Sequence, residues 1–462
     1  MRIQSLSLRN FRCFAELEIS FEPDVTVLIA PNGKGKSAVA DALAIALGPW
    51  VGAFPYSSGR AISRSDMKQQ LRIIRWTSEE KGVPAGTSMI DFGDLPVLMY
   101  TNAKIGRYPF SWKQELRTPK GRTTTNGAKT VIDRAVEVQN KINEGMENIS
   151  LPVVAHYGTG RLWGANKITR STDKFSRYKG YVDCLNFSSN YKDFAAWYAD
   201  QLYKSYQFSK EQGESADNPY RNSAEAVNGA VTLCLEQTGW RNLDEDSRFS
   251  ELVMSRGFIN TDEVNYGLDR VKTLPVSRLS DGIRTVIGLV GDIARRTCML
   301  NPQFGKSAPG NTPGVVIIDE VDMHLHPEWQ QQIIPSLRRT FPEIQFILTT
   351  HSPQVLTTVE AQKIRVLDCD EEGIGSAVIP SDQTLAAESG NVLSLVMGVN
   401  QRPDLPQTSD INRYVQLVHE GKHDTAEALD LRKNLESLGS AVVGDLQIAD
   451  IVIKAHEARR AG

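Results

Sequence analysis

The segment Ala30-Pro31-Asn32-Gly33-Lys34-Gly35-Lys36-Ser37 has the residue types and spacing of a phosphate-binding loop. A small residue, four variable positions and then Gly-Lys-Ser is the pattern whose backbone N–H groups cradle a β-phosphate. A helix opening straight after the loop adds its partial positive charge. Asn32, Gly33, Lys34, Gly35 and Ala38 then form the cradle, Lys36 reaches the β- and γ-phosphates, and Ser37 binds Mg²⁺. The expected cofactors are ATP and Mg²⁺.

Three further groups complete such chemistry. Val315-Val316-Ile317-Ile318 is a β-branched run ending in Asp319-Glu320. At the carboxyl end of a buried strand, Asp319 is placed to hold Mg²⁺ through water, and Glu320 to orient or deprotonate the attacking water. Phe346-Ile347-Leu348-Thr349-Thr350 is a second apolar strand, ending in His351, which can reach a γ-phosphate. Ser280 and Gly282 open a helix over Ile283 to Thr297, and a Ser and a Gly at a helix N-terminus form an anion site. Taken alone, Ser280 is an N-cap.

The elements that must position these residues are legible around them. Val25 to Ile29 reads as the strand before the loop, and Ala38 to Leu47 as the helix after it, with Gly48-Pro49 as the stop. Ile3 to Leu8 and Ala15 to Ile19 read as two strands joined by a turn at Asn10-Phe11-Arg12. Residues 50 to 94 read as loop with one short helix near Met67 to Trp76. Strands follow at Leu95 to Tyr100 and Leu151 to Tyr157, with a helix at Val131 to Gly145 between them. From 188 to 240 the spacing of Phe194, Trp197, Tyr198, Leu202 and Tyr206, then of Ala224, Val227, Val231 and Leu235, predicts amphipathic helices. The aromatic stripe reads as core. Strand and helix signals alternate from 270 to 380. Beyond Ala386 the chain reads as helical, with breaks near Pro403-Pro406 and Gly439.

The 462 residues allow about three domain-sized units. Hydrophobic content of 40% and charged content of 23% are those of an ordinary globular protein. No apolar run reaches the roughly 18 residues of a membrane span. The N-terminus alternates like a strand, unlike a signal peptide. The five cysteines form no pair with metal-ligand spacing, which predicts a reduced, cytoplasmic protein. The net charge of −3 conceals two basic stretches, Lys104 to Lys129 and Arg161 to Lys179, interleaved with Tyr108, Trp112, Tyr178 and Tyr181. Such stretches either neutralise phosphates of DNA or form solvated loops.

Together the four motifs, in this order, resemble the ABC-type ATPase heads of SMC and RecF relatives. Ala30 to Ser37 matches their Walker A motif, Leu279 to Gly282 their signature, Val315 to Glu320 their Walker B motif and His351 their switch His. The opening strand pair is similar as well, which makes Arg12 a candidate phosphate contact. The signature departs from LSGGQ at Asp281 and Ile283, but LSDG is usual in compact OLD-like and anti-phage ATPases. The resemblance implies an α/β fold, a P-loop ATPase head with a helical insertion and a helical C-terminal region. The head would span 1–160 and 270–385, the mainly helical insertion 161–269, and the C-terminal region 386–462. It implies a homo-oligomer through the heads, in which Ser280 and Gly282 of one protomer bind the γ-phosphate held by Lys36 of another. It also implies slow, sensor-like hydrolysis.

The run from Glu320 to Pro327, Gly158 to Trp163, and Ser389 to Pro403 resemble the PtuA-type ATPase subunits of Septu defence systems, also found with some retrons. That family implies a separate HNH nuclease as partner and restriction of phage DNA. His324 and His326 have a metal-ligand spacing without an acid or Cys to complete a set, so a contact across the head dimer fits them better. Val418 to Asp424 resembles the first acidic motif of a TOPRIM nuclease of OLD type, but no apolar strand ending in Asp-x-Asp follows Glu420. Asp368-Cys369-Asp370 precedes it, in the wrong order. Two alternatives stand beside the defence subunit: a RecF-like repair ATPase without a nuclease partner, and an OLD-type nuclease.

Overall fold

The computed structural model describes residues 1–76, 86–146, 148–160, 176–186, 191–214, 216–246, 251–258 and 270–461. Apolar β-branched runs form its central sheet. The strand order is β15-β14-β3-β13-β12-β8. Here β3 is Val25–Ile29, β8 Val153–Tyr157, β12 Gly314–Ile318, β13 Ile344–Thr349, β14 Ile364–Cys369 and β15 Gly375–Val378. All neighbours are parallel except the β14–β15 pair. Every residue of β3, β8, β12 and β13 is buried, which is why these strands read as continuous apolar runs. The register pairs Ile318 with both Leu348 and Tyr157, and Leu348 with Val27. The phosphate loop, the acidic pair, His351 and Gly158 therefore all leave from one edge of the sheet.

A second, antiparallel sheet has the order β2-β1-β6-β7, from β1 (Arg2–Phe11), β2 (Phe14–Ser20), β6 (Val97–Ile105) and β7 (Tyr108–Leu116). Buried Gln345 ties the two sheets together. Its Oε1 accepts from the Ile3 N–H at 2.7 Å, and its Nε2 donates to the carbonyls of Ile3 and Glu22.

Between the sheets lies helix α1 (Lys36–Val51), buried over nearly its whole length. It runs through Gly48-Pro49 rather than stopping there. Proline has no N–H to give the carbonyl four residues back and normally breaks a helix. Here that carbonyl, of Ile45, accepts from Gln114 Nε2 at 3.1 Å, and Trp112 Nε1 donates to the carbonyl of Ala46 at 3.0 Å. Side chains of β7 thus replace the bond that Pro49 cannot make.

The segment around Met67 to Trp76 is not the expected helix. Its Gln69–Trp76 portion is strand β4, paired antiparallel with β5 (Gly86–Gly93). The basic stretch from Lys104 is also not a loop at its start, because β6 and β7 carry it. Helix α2 (Lys129–Asn143) follows as expected. The insertion holds helices α3 (Tyr191–Gln212) and α4 (Pro219–Cys234), which pack on α5 (Asp281–Leu300). It also holds a three-stranded antiparallel sheet that the helical reading did not include: β9 (Trp240–Asp246), β10 (Glu251–Phe258) and β11 (Arg270–Pro275). Phe194 and Tyr198 are buried, as the aromatic stripe predicted, but Tyr206 is 70% exposed. A Cβ on Gly291 of α5 would stand 2.3 Å from the Phe194 ring, so only glycine allows this helix contact.

A buried ionic knot fixes α5 to the central sheet. Asp292 accepts from Tyr157 Oη at 2.8 Å and from Arg296 Nε at 2.8 Å, and pairs with Arg295. Burial alone would raise the Asp292 pKa, but Arg295 and Arg296 outweigh it and hold the carboxyl far below its usual range.

The second unit begins at Leu393. Its helices α6 (Pro406–His419), α7 (Ala426–Glu436) and α8 (Val443–Ala461) close around Tyr414, Leu417, Val418, Leu435 and Leu446. Glu420 sits just past α6 and is engaged by Lys422 and Gln416, at 2.8 and 2.9 Å.

Replacing Asp292 with Ala should leave Arg296 charged, buried and without its carboxylate. Urea titration should show a loss of about 3–5 kcal/mol in unfolding free energy. A loss below about 1 kcal/mol would mean that the Gly180 and Val182 carbonyls, which also accept from Arg296, suffice to hold it.

Candidate nucleotide site

The phosphate loop bends through two left-handed glycines, Gly33 with φ +81° and Gly35 with φ +94°. A Cβ on Gly35 would lie 2.2 Å from the Phe14 ring and 2.9 Å from Cys13 Sγ. The loop is therefore pressed against the β1–β2 hairpin on one side. Around Gly33 there is open space, on the side a phosphate must enter.

Lys36 Nζ is folded into the loop itself, donating to the Ala30 carbonyl at 2.7 Å and the Pro31 carbonyl at 3.4 Å. Burial lowers its pKa, and Asp319, Glu320 and Asp322 partly offset that. The ammonium thus occupies the loop's centre on weak carbonyl acceptors. Phosphate oxygens would be stronger partners for it.

Ser37 Oγ donates to Asp319 Oδ2 at 2.8 Å. A hydroxyl and a carboxylate at this separation are the hard oxygen donors that Mg²⁺ takes, so the residues present fit the ion. Strand β13 runs between the loop strand and the acidic strand, and its Thr349 serves both acids. Thr349 Oγ1 donates to Asp319 Oδ1 and accepts from the Glu320 N–H at 2.8 Å. Glu320 has φ +51°, a costly conformation for a residue with a side chain. The Thr349 bond and the Val321 N–H on the Thr349 carbonyl hold that turn in place. Thr350 donates to Asp322 at 2.6 Å, fixing the next acid as well.

His351 stands exposed beyond the end of β13. Lys34 is turned outward, donating to the Cys369 carbonyl at 2.7 Å and pairing with Asp368 at 2.9 Å. Asp368 is thus engaged beside the phosphate loop. Arg12, with φ +49°, pairs with Asp41 at 2.6 Å and with Asp66 at 2.8 Å. Burial opposes its charge, but the two carboxylates hold it protonated. A phosphate contact by Arg12 would have to exchange one of these acids. Asp41 in turn is shared with Arg60, at 2.6 Å.

Ser280 is exposed at the N-cap of α5, and Gly282 is buried two residues on. A Cβ on Gly282 would stand 2.7 Å from the His324 carbonyl. The Ser-Asp-Gly segment therefore packs on the turn that follows its own acidic strand. His324 is exposed, with φ +64°, and His326 Nδ1 accepts from the Glu328 N–H at 3.4 Å. Among the described residues no group of three His, Cys, Asp or Glu is placed to hold a metal ion. No described helix is long and apolar enough to cross a membrane.

The sequence reading did not single out Thr349, Asp41, Tyr157 or His156. His156 is buried on β8 with Nδ1 unpartnered, facing the charges of Asp41, Arg60 and Asp319. In the basic stretch, Lys113 and Arg117 both lie on Glu115, which leaves Lys120, Arg122 and Lys129 exposed beyond β7. Arg161 to Lys174 and Gly160-flanking Leu162-Trp163 lie outside the described residues.

An AAA-domain profile matches residues 5–222, and a second, whose description also names the AbiEii toxin of a type IV toxin–antitoxin system, matches 186–357. The chain is 26% identical to "Retron Vc95 probable ATPase" of Vibrio cholerae, over 94% of this chain and 86% of that protein. It is 36% identical to "Septu protein PtuA" of Bacillus mycoides, but over only 30% of this chain and 19% of that protein. Among solved structures, the SMC head domain from Thermotoga maritima aligns over 82% of this chain and 99% of its own, at 15% identity and a TM-score of 0.42.

Burial lowers the His156 pKa to about 4, with Asp41 opposing the shift. The unfolded chain then binds more protons than the folded one between pH 4 and 6.5, so this contribution is present above pH 6.5 and lost as pH falls. Wild type should lose about 2 kcal/mol more than His156→Leu from pH 7 to pH 5 in urea titrations. Parallel pH curves for the two proteins would show that His156 does not carry the dependence.

Proposed function

We propose that this chain, an ATPase, is the ATP-binding regulatory subunit of an anti-phage defence complex, controlling a separate nuclease that acts on DNA. The observation that carries this is the likeness to a retron ATPase along nearly the whole chain, joined to a nucleotide site whose loop and acids are already in contact. The Septu likeness is confined to a part of both chains, so it supports the class and a nuclease partner of HNH type only as the finer form of the proposal.

In this reading Lys36 leaves the Ala30 carbonyl for the β- and γ-phosphates. Ser37 and Asp319 would hold Mg²⁺, which would shield phosphate charge. Thr349 keeps Glu320 aimed at the water that attacks the γ-phosphate, and His351 lies at the same sheet edge to sense that phosphate. Ser280 and Gly282 of a second copy close the site, so ATP joins two heads and hydrolysis parts them. Lys104, Arg107, Lys120, Arg122 and Lys129 of the first basic stretch are exposed and available to a DNA backbone. Glu420, engaged by Lys422 and Gln416, takes no part in cutting. The complex works in the cytoplasm.

Lys36→Ala should abolish ATP binding in calorimetry, whereas Glu320→Gln should keep binding and slow single-turnover hydrolysis at least tenfold. Normal turnover in Glu320→Gln would assign the base elsewhere.

Plasmid cleavage should need this chain together with a separate partner nuclease, and should change with ATP. Cleavage by the isolated chain with Mg²⁺ or Mn²⁺, lost in Glu420→Ala, would instead make it an OLD-type nuclease. An active ATPase with no nuclease in its complex would favour the RecF-like alternative.

A further inference from the structure

The five cysteines are scattered along the sequence, but the fold brings two of them together beside the phosphate loop. Cys13 sits in the turn between β1 and β2, and Cys369 ends β14, 356 residues on. Cys369 Sγ donates to the Cys13 carbonyl at 3.5 Å, and the two thiols are near enough for each to shift the other's ionisation. Cys13 is half-buried, so a small oxidant can reach the pair, and Cys369 lies beneath it at 7% exposed.

The backbones around the pair are pinned to each other. The Ala15 N–H donates to the Gly373 carbonyl at 2.7 Å, and Glu16 bridges to Ile374. A Cβ on Gly373 would stand 2.8 Å from the Cys13 carbonyl oxygen. Two cysteines held by such contacts can be bridged with little backbone movement. Both also hold the loop. Cys13 Sγ backs Gly35, whose missing Cβ would lie 2.9 Å from it, and the Cys369 carbonyl accepts from Lys34 Nζ at 2.7 Å.

We propose that Cys13 and Cys369 form a redox switch on ATP binding, closed by a hydroperoxide. The inference rests on the reading of the loop as an ATP site. The Cys369 sulfur attacks the O–O bond of hydrogen peroxide, giving a sulfenic acid and one water. The Cys13 sulfur then attacks that sulfur, forming the S–S bond and releasing a second water. The two thiols lose two electrons and two protons, and the peroxide takes both. Burial raises the Cys13 pKa to about 11. Burial and Asp370 raise Cys369 less, because Lys34 and Lys68 oppose them, so Cys369 is the sulfur that reacts first. Closing the bond draws Cys13 Sγ towards Cys369 and off Gly35. The loop then loses its backing and holds phosphate less well.

The test titrates the full chain with hydrogen peroxide. Peptide mapping by mass spectrometry should find Cys13 linked to Cys369. Calorimetry should show ATP affinity lowered at least fivefold, and dithiothreitol should restore it. Cys13→Ser should form no linkage and should accumulate a Cys369 sulfenic acid that dimedone labels. Cys369→Ser, which removes the attacking sulfur, should keep its ATP affinity in peroxide. A protein that binds ATP but forms no linkage would overturn the switch. So would linkage without a change in affinity, or equal peroxide inhibition in wild type and both serine variants. Reduced protein that binds no ATP would remove the nucleotide reading, and the switch with it.

Discussion

At the candidate nucleotide site one hydroxyl holds both acids of the acidic strand end. Thr349 lies on the strand between the phosphate-loop strand and the acidic strand. Its Oγ1 bonds the carboxylate of Asp319 and the N–H of Glu320 together. The first bond orients the acid that faces Ser37. The second stabilises a backbone turn that Glu320 would otherwise resist, at a cost of about 1–3 kcal/mol. Parallel pairing on both sides of β13 sets the height of Thr349 against its neighbours. A slip of one residue would turn its hydroxyl to the other face. The geometry of the site is thus a property of sheet register, and the buried strands guard that register.

The helix behind the loop shows the same economy in its backbone. Pro49 removes a donor in the last turn of a buried helix, and Gln114 and Trp112 supply donors from another sheet. The proline and the β7 side chains form one unit, since neither half is satisfied without the other. Tyr157 and Asp292 link the other flank. The Asp319 N–H bonds the Tyr157 carbonyl, and Tyr157 Oη bonds Asp292 on α5. The helix that carries Ser280 is therefore joined to the strand end that carries Asp319 through a chain of polar contacts.

What could be read in the sequence follows from this division. The strands that lead into Ala30, Asp319 and His351 were legible because each is an apolar run, and the loop's bends because they accept only glycine. Thr349 was not legible: a threonine in a strand reads as an ordinary β-former. The helix stop at Gly48-Pro49 was misread because the compensating donor lies far along the chain. The β4–β5 pair and the β9–β11 sheet were missed for a related reason, since antiparallel edges with mixed polarity give little periodicity. Arg12 was named for its place in the hairpin, and the structure adds the two acids that hold it. The C-terminal helices were read correctly because their breaks fall at proline and glycine.

The spacing of these contacts along the chain bears on how the protein is made. The Gln114 bond that completes α1 joins residues 69 apart, and the Ser37–Asp319 bond joins residues 282 apart. During synthesis the phosphate loop therefore emerges long before its acids, and the first helix waits unfinished for β7. A ribosome-bound chain holds the loop but not the acid that Ser37 bonds, so the proposed nucleotide site stays incomplete until most of the protein has been translated.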